Sequence, residues 1–296
     1  MSAVDSRTVL PPTIPGPDPN PRPPRESFPA GACDCHAHVF GPQEAFPYLP
    51  NAAFIPPDAT PRDFTRMLRT IGCRRAVIVQ PSIYGTDNRC LAAALTSEGF
   101  DFRGVAVVDA GADDRELEAL HRAGVRGVRI NLASKTPGLS LDQAPRLAAR
   151  IEPFGWHLQF FVRIGQVPSL ERGIAQMPVP CVIDHFGHVP AAGGVDSPEF
   201  KTLLGLARLD HVWFKLTGPY RISRQYPLYP DVAPLARALV AAAPDRCLWG
   251  TDWPHTNTEY MPNDGDLAEA ICQWLPDAQR RRKVLVDNPG RLYGFI

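Results

Sequence analysis

Two histidines, His36 and His38, sit two positions apart in the run Cys33-Asp34-Cys35-His36-Ala37-His38-Val39-Phe40. On a strand, side chains two apart share a face, so both imidazoles project from one spot. The same alternation puts Cys33 and Cys35 on the opposite face. Far downstream, Val182-Ile183-Asp184-His185 and Trp249-Gly250-Thr251-Asp252-Trp253-Pro254-His255 repeat the pattern: an apolar strand ending in titratable residues. His36, His38, His185 and Asp252 are therefore expected to form one site from remote parts of the chain. An aspartate there can take a proton from water, a contribution of about 10²–10⁴-fold in rate. Imidazoles can polarise a carbonyl by hydrogen bonding or through a metal. Two polar rings on one buried face need partners, which argues against simple packing.

The elements that must hold these residues are short β-rich runs alternating with helical stretches. Strands are expected at 32–40, 75–80, 102–109, 125–131, 157–162, 181–185, 212–217 and 247–252. Helix starts are signalled by Thr60-Pro61-Arg62-Asp63, by the acidic turn Asp113-Asp114-Arg115-Glu116, by Ser197-Pro198-Glu199, and by Asp277, whose helix should run up to Asn288-Pro289. Eight strand–helix units predict an α/β fold of the (β/α)8 type. A doubly wound sheet usually carries a glycine-rich phosphate turn after its first strand, whereas here the Pro-rich stretch 41–57 follows. In such a barrel the C-terminal strand ends form the active site. Those ends read His36/His38, Gln80/Ser82, Asp109, Arg129/Asn131, Arg163, Asp184/His185, Lys215/Thr217 and Asp252/His255.

Arg129 at a strand end could grip a carboxylate with both arms of its guanidinium, or tie the barrel rim by an ion pair. Arg221 and Lys135 follow strands 7 and 4, so three cations share one mouth and should attract carboxylates. His255, beside Pro254, is a further candidate substrate contact; Lys215 has no assigned role.

Composition sets the outer bounds. The 296 residues are 44% hydrophobic and 21% charged, with zero formal net charge. These values fit a globular domain with a sizeable core, and nothing in them suggests nucleic acid or an anionic membrane as partner. No apolar run reaches the roughly 18 residues of a membrane span, and the N-terminus lacks the apolar core of a signal peptide. A cytoplasmic location is expected. Residues 1–30 read as an irregular Pro-rich arm, 31–296 as the barrel. The seven cysteines are expected to be buried thiols, and Arg280-Arg281-Arg282 to line an exposed helix face.

The motifs together resemble the amidohydrolase superfamily, in its amidohydrolase 2 branch, and within it the lactonases and lactone isomerases. The likeness rests on His36-Ala37-His38-Val39-Phe40-Gly41-Pro42, Gly85-Thr86-Asp87-Asn88, Gly127-Val128-Arg129-Ile130-Asn131, Val182-Ile183-Asp184-His185, Trp213-Phe214-Lys215, Trp249-Gly250-Thr251-Asp252-Trp253-Pro254-His255 and Asn288-Pro289-Gly290-Arg291-Leu292-Tyr293. It implies a (β/α)8 fold and hydrolysis of a small anionic lactone. By motif position it implies Asp252 as the base that activates water and His36, His38 and His185 around the scissile carbonyl. It further implies Ser82, Arg129 and Arg221 as substrate contacts. Lys135 stands where the lactonase pattern has a second arginine, and Phe54 and Phe161 stand where it has tyrosines. Those departures turn the expectation away from a pyrone dicarboxylate itself.

A two-metal site needs a Lys or Glu on strand 4 and a His on strand 5, which this chain lacks. The lactonase resemblance implies hydrolysis with no metal required. The alternative is a single Zn²⁺ or Mn²⁺ held by His36, His38, His185 and Asp252, which would suit a metal-dependent decarboxylase. A sugar-acid lactone isomerase on the same site is the other alternative. Oligomeric state is not legible.

Overall fold

A computed structural model of the chain describes residues 11–133 and 139–295. Eight parallel strands follow one another in sequence order: β1 Cys33–Ala37, β2 Arg75–Val79, β3 Asp101–Ala106, β4 Val125–Asn131, β5 His157–Phe161, β6 Cys181–Ile183, β7 Val212–Thr217 and β8 Cys247–Gly250. The sheet meets itself just past the end of β8, where the Asp252 amide donates to the His36 carbonyl (2.8 Å) and the His38 amide to the Trp253 carbonyl (2.7 Å). The seam of this (β/α)8 barrel thus runs through the proposed site.

Helices start where the sequence marks them. In α1, Pro61–Ile71, Thr60 and Asp63 cap each other reciprocally and the helix stops at Gly72. Helix α2 is Arg89–Ala94. The Asp113 carboxylate accepts from the Glu116 amide at the head of α3, Asp114–Ala123, which ends at Gly124. Helices α4, Ala144–Ile151, and α5, Leu170–Ala175, precede α6, Pro198–Gly205, which Ser197 caps. Next come α7, Ala233–Ala242, and α8, Asp264–Trp274. Asp277 caps α9, Ala278–Arg282. The chain does not stop before Asn288-Pro289 as expected. A π turn at Lys283–Asp287 leads straight into α10, Asn288–Tyr293, where Pro289 sits in the first turn and needs no amide partner.

Six of the strands end earlier than their sequence pattern suggests, while β4 and β7 end where it places them. His185 and Asp252 take positive φ values of 51° and 66°, which no strand accommodates. His38, Asp184, His185 and Asp252 accordingly stand on the first residues of loops, just above the barrel rim.

The alternation of β1 also breaks. Its register against β2 shifts between Asp34 and Ala37, the mark of a bulge. Cys33 and Cys35 pack with Val77, Val79, Val105, Val182, Trp213, Leu248 and Tyr293 inside the barrel. Lys215 lies two residues after Trp213, on the same face of β7, and its Nζ is 3.3 Å from His36 Nδ1. Cys35 and His36 therefore both face inward, and the cysteines are not opposite the histidines. All seven cysteines are buried free thiols.

The described part of the arm wraps the barrel. Ile14 and Ile55 pair backbones, Arg22 reaches Asp266, and the Arg25 amide donates to Glu269. Arg281 is buried rather than exposed: it donates to the Leu275 carbonyl and pairs with Glu26 of the arm. Among the described residues, no helix is long and apolar enough to cross a membrane.

Gly250 fixes how closely β8 approaches β1. A Cβ there would lie 2.5 Å from the His36 nitrogen and 2.6 Å from Asp34 Oδ1. Both are held groups, so neither can yield cheaply. We expect Gly250→Ala to destabilise the fold by about 1–3 kcal/mol, read as a lower denaturant midpoint. An unchanged midpoint would contradict this account of the seam.

Candidate active site

Asp34 ties the seam from outside the site. Its Oδ1 accepts from the amides of His36 (3.1 Å) and Thr251 (3.0 Å), its Oδ2 from the Thr251 hydroxyl (2.6 Å). This bracing sets His36 and Asp252 facing each other. Asp252 is fully buried. Its Oδ2 accepts from the Tyr220 hydroxyl and from Arg221 Nε, each at 2.6 Å. Its Oδ1 has no hydrogen-bond partner and lies 3.7 Å from Nε2 of both His36 and His38.

The tautomer of His38 follows from its other nitrogen. Nδ1 is 2.7 Å from the Val79 carbonyl, which can only accept, so Nδ1 carries the proton. Nε2 of the neutral ring is then an acceptor, and it faces a second acceptor, Asp252 Oδ1. Two buried acceptors at that separation call for a donor or a cation between them.

Around this gap stand His36 and His185. His36 Nδ1 is 3.3 Å from both Asp184 Oδ1 and Lys215 Nζ, and Lys215 also donates to Gln159 Oε1 at 2.7 Å. Asp184 is completed by Gln159 Nε2 at 3.2 Å and Arg129 Nε at 3.6 Å. His185 Nδ1 is 2.8 Å from the Thr217 hydroxyl, and its Nε2, like that of His36, has no partner. Gly218 makes this approach possible: a Cβ on it would lie 2.9 Å from His185 Nδ1 and 3.1 Å from Asp252 Oδ2, at a φ of 60°.

Burial lowers the pKa of His36, His38 and His185, so all three rings are neutral near pH 7. Burial works against ionising Asp252, but neighbouring positive charge, that of Arg221 first, holds the carboxyl well below the usual range. The Asp184 carboxyl is likewise held well below the usual range against burial, with the Lys215 ammonium 3.8 Å away. His157, deep in the barrel, is pushed down to about 3 by burial and Lys215, and His188 to about 4 by burial and Arg221.

These shifts fix a pH dependence. Below about pH 6.5 the unfolded chain protonates its histidines, while the five buried rings take up their protons only at lower pH. The unfolded state therefore binds more protons, and stability falls as pH falls. Asp34, which burial raises to about 7, opposes this with a single proton. We expect the denaturant midpoint to decline steadily from pH 6.5 to 5; a flat or rising profile would contradict the neutral-histidine assignment.

A cleft of about 110 Å³ opens above the gap, lined by His38, Phe54, Ser82, Arg129, Phe161 and Arg221 among others. The Arg129 guanidinium lies over the Phe161 ring, 4.8 Å from its centroid. Of the residues read from the sequence, His36, His38, His185 and Asp252 converge, with Ser82, Arg129 and Arg221 on the cleft wall. Arg221 also pairs with Asp252. Lys135 lies outside the described residues. His255 is turned away from the cleft: its Nε2 is 3.0 Å from Asp264 Oδ1 and its Nδ1 3.4 Å from the Tyr220 hydroxyl. It thus braces the tyrosine that holds Asp252.

Sequence reasoning missed Tyr220, Gln159, Asp264 and His188. Lys215 was visible as a lone charge inside the apolar run of β7, which is itself a signal of an interior polar network. Ligand atoms of His36, His38 and Asp252 lie within 4.8 Å of one another, as do those of His36, Asp184 and His185. With unpartnered His36 Nε2 and Asp252 Oδ1, the first set has the donor chemistry for one divalent cation.

The family model described as amidohydrolase (Amidohydro_2) matches residues 33–295. A 4-sulfomuconolactone hydrolase of Hydrogenophaga intermedia is 40% identical, with 95% of this chain and 94% of that protein covered. A 2-pyrone-4,6-dicarboxylate hydrolase of Comamonas testosteroni is 40% identical, with 93% of each covered. A D-galactarolactone isomerase of Agrobacterium fabrum is 33% identical over 91% of this chain and 93% of its own length. The apo crystal structure of an Agrobacterium tumefaciens protein superposes with a TM-score of 0.82 at 30% identity, covering 92% of this chain and 99% of that one. With its family match spanning nearly the whole barrel, this chain belongs to the amidohydrolase family.

Proposed function

We propose that the protein hydrolyses a small carboxylated lactone with a water held between Asp252 Oδ1 and His38 Nε2. The observation that carries this reading is that pair of acceptors, 3.7 Å apart, with His38 on the cleft wall and Asp252 directly behind it. A water between them donates a hydrogen to each, so its lone pairs are free to attack a carbonyl above. Asp252 takes the proton as the carbon–oxygen bond forms; when the carbonyl re-forms, the ring carbon–oxygen bond breaks and that proton passes to the departing ring oxygen. In this reading His36 Nδ1 accepts from Lys215 and His185 Nδ1 accepts from the Thr217 hydroxyl, so that each ring carries its proton on Nε2. Both rings then offer N–H donors to the carbonyl oxygen as it gains charge. Arg129, Arg221 and Ser82 hold the acid groups. Phe54 and Phe161 give the ring apolar walls in place of hydroxyl donors.

No metal is required in this scheme. Were a divalent cation bound, His36, His38 and Asp252 would hold it, and it would supply Lewis-acid polarisation of the carbonyl. The lactone hydrolases at 40% identity support the hydrolytic reading, and the lactone isomerase at 33% keeps isomerisation as the second. The test is a panel of carboxylated lactones and their neutral esters, with products identified and metal content recorded. Ring-opened acid from the anionic members supports the proposal; conversion to isomeric lactones alone, or release of CO₂, would refute it.

A further inference from the structure

Behind Asp252 runs a row of buried polar groups, Tyr220, His255 and Asp264, none of which lines the cleft. The Tyr220 hydroxyl donates to Asp252 Oδ2 at 2.6 Å. His255 Nδ1 lies 3.4 Å from the same hydroxyl oxygen, with the two rings edge to face, 5.4 Å between centroids. His255 Nε2 lies 3.0 Å from Asp264 Oδ1. Asp264 opens α8, and the N-terminal arm pins the start of that helix. Asn263 Oδ1 accepts from the amides of Arg22 and Gly265, each at 3.0 Å, and Asn263 Nδ2 donates to Asp18 and to the Asn20 carbonyl. Only glycine fits at 265, where a Cβ would lie 2.0 Å from the Arg22 carbonyl oxygen. A continuous row of contacts thus runs from the arm to Asp252.

Counting hydrogens along the row fixes its direction. A tyrosine hydroxyl has one hydrogen, and the carboxylate of Asp252 takes it across the shorter contact. The tyrosine oxygen then turns only lone pairs to His255, so that contact bonds when Nδ1 carries a hydrogen. A lone pair on Nδ1 would instead compete with Asp252 for the hydroxyl hydrogen. With Nδ1 occupied, Nε2 faces Asp264 Oδ1, and a further hydrogen must lie between them, because two bare acceptors at 3.0 Å repel. The His255–Asp264 pair therefore holds two hydrogens and no net charge, which suits its full burial.

We propose that His255 and Asp264 are positioning residues for Asp252, acting through Tyr220. They supply a hydrogen to the tyrosine oxygen and so keep the hydroxyl's own hydrogen on Asp252 Oδ2. With Oδ2 held by Tyr220 and Arg221, the carboxylate is fixed in rotation and Oδ1 stays turned to His38. Neither residue meets the substrate, so both act on kcat and leave KM alone. The inference rests on Asp252 as the base and not on which lactone is opened.

The first half of the test needs neither substrate nor variant. Nuclear magnetic resonance of the whole protein labelled with ¹⁵N in histidine, assigned through the contact between the His255 and Tyr220 rings, should show a hydrogen bound to His255 Nδ1. A bare Nδ1 would overturn the proposal. The second half is kinetic, on a lactone the natural protein opens. His255 sits at a φ of 67°, which asparagine tolerates. His255→Asn should lower kcat about three- to tenfold, the worth of one hydrogen bond, with KM within about twofold. Tyr220→Phe should lower kcat at least as much. The double variant should be no slower than Tyr220→Phe alone, because His255 acts only through the hydroxyl. A merely structural histidine would give losses that multiply. Multiplying losses, or an unchanged kcat in folded His255→Asn, would overturn the proposal. If His255→Asn misfolds, the Nδ1 signal of the natural protein still decides. A hydrogen on Nδ1 in a protein that opens no lactone would refute the lactone reading and support the positioning of Asp252.

Discussion

Asp252→Asn should lower kcat by about two to four orders of magnitude, the range for loss of a positioned base, while the protein stays folded. An amide keeps the shape of the side chain but cannot take a proton from water. Oδ1 faces His36 Nε2 and His38 Nε2 with no partner of its own, so the proton acceptor is at the one open position of the carboxylate. KM should change less than kcat, because Asp252 stands behind the cleft wall and not on it. Stability should drop too, since Arg221 loses the charge it pairs with at 2.6 Å. Circular dichroism with single-turnover kinetics separates the two effects. Near-normal turnover in a folded variant would exclude Asp252 as the base.

The second large effect is expected at Arg129. Its guanidinium is buried, lies over Phe161, and reaches Asp184 only at 3.6 Å. An ion pair that loose leaves hydrogens free for a substrate carboxylate. A charge-assisted hydrogen bond contributes roughly 1.5–3 kcal/mol, or about one to two powers of ten in kcat/KM. Arg129→Met should penalise a carboxylated lactone by at least that factor and its neutral ester far less. Arg221→Met serves as the comparison, because Arg221 is shared with Asp252 and should damage both substrates. Equal losses on both substrates in the Arg129 variant would end the carboxylate clamp.

Much of this architecture is legible in the residues. The caps Thr60, Asp113, Ser197 and Asp277 act locally, within one turn, so sequence alone identifies them. Apolar runs bounded by turns locate all eight strands. Their ends are less legible, because they depend on the backbone angles of His185 and Asp252, which tertiary contacts impose. The bulge in β1 depends on its register with β2, a long-range property, so alternation misplaces Cys33 and Cys35. Titratable residues at strand ends reveal the core of the site. The groups that tune it are hidden for a different reason. Tyr220, Gln159 and Asp264 look like ordinary polar residues until the fold brings them to Asp252, Asp184 and His255. His255 shows the converse: the Trp253-Pro254-His255 run suggests a place in the cleft, but the loop turns its ring toward Asp264.

The most direct test of the central claim is where the oxygen of water goes. Turnover of a carboxylated lactone in ¹⁸O-labelled water, followed by mass spectrometry of the product, should give ring-opened acid carrying one ¹⁸O in its new carboxylate. Asp252→Asn should slow that incorporation in step with kcat. An isomeric lactone free of label, or release of CO₂ in place of a ring-opened acid, would contradict attack by water in the gap between Asp252 and His38.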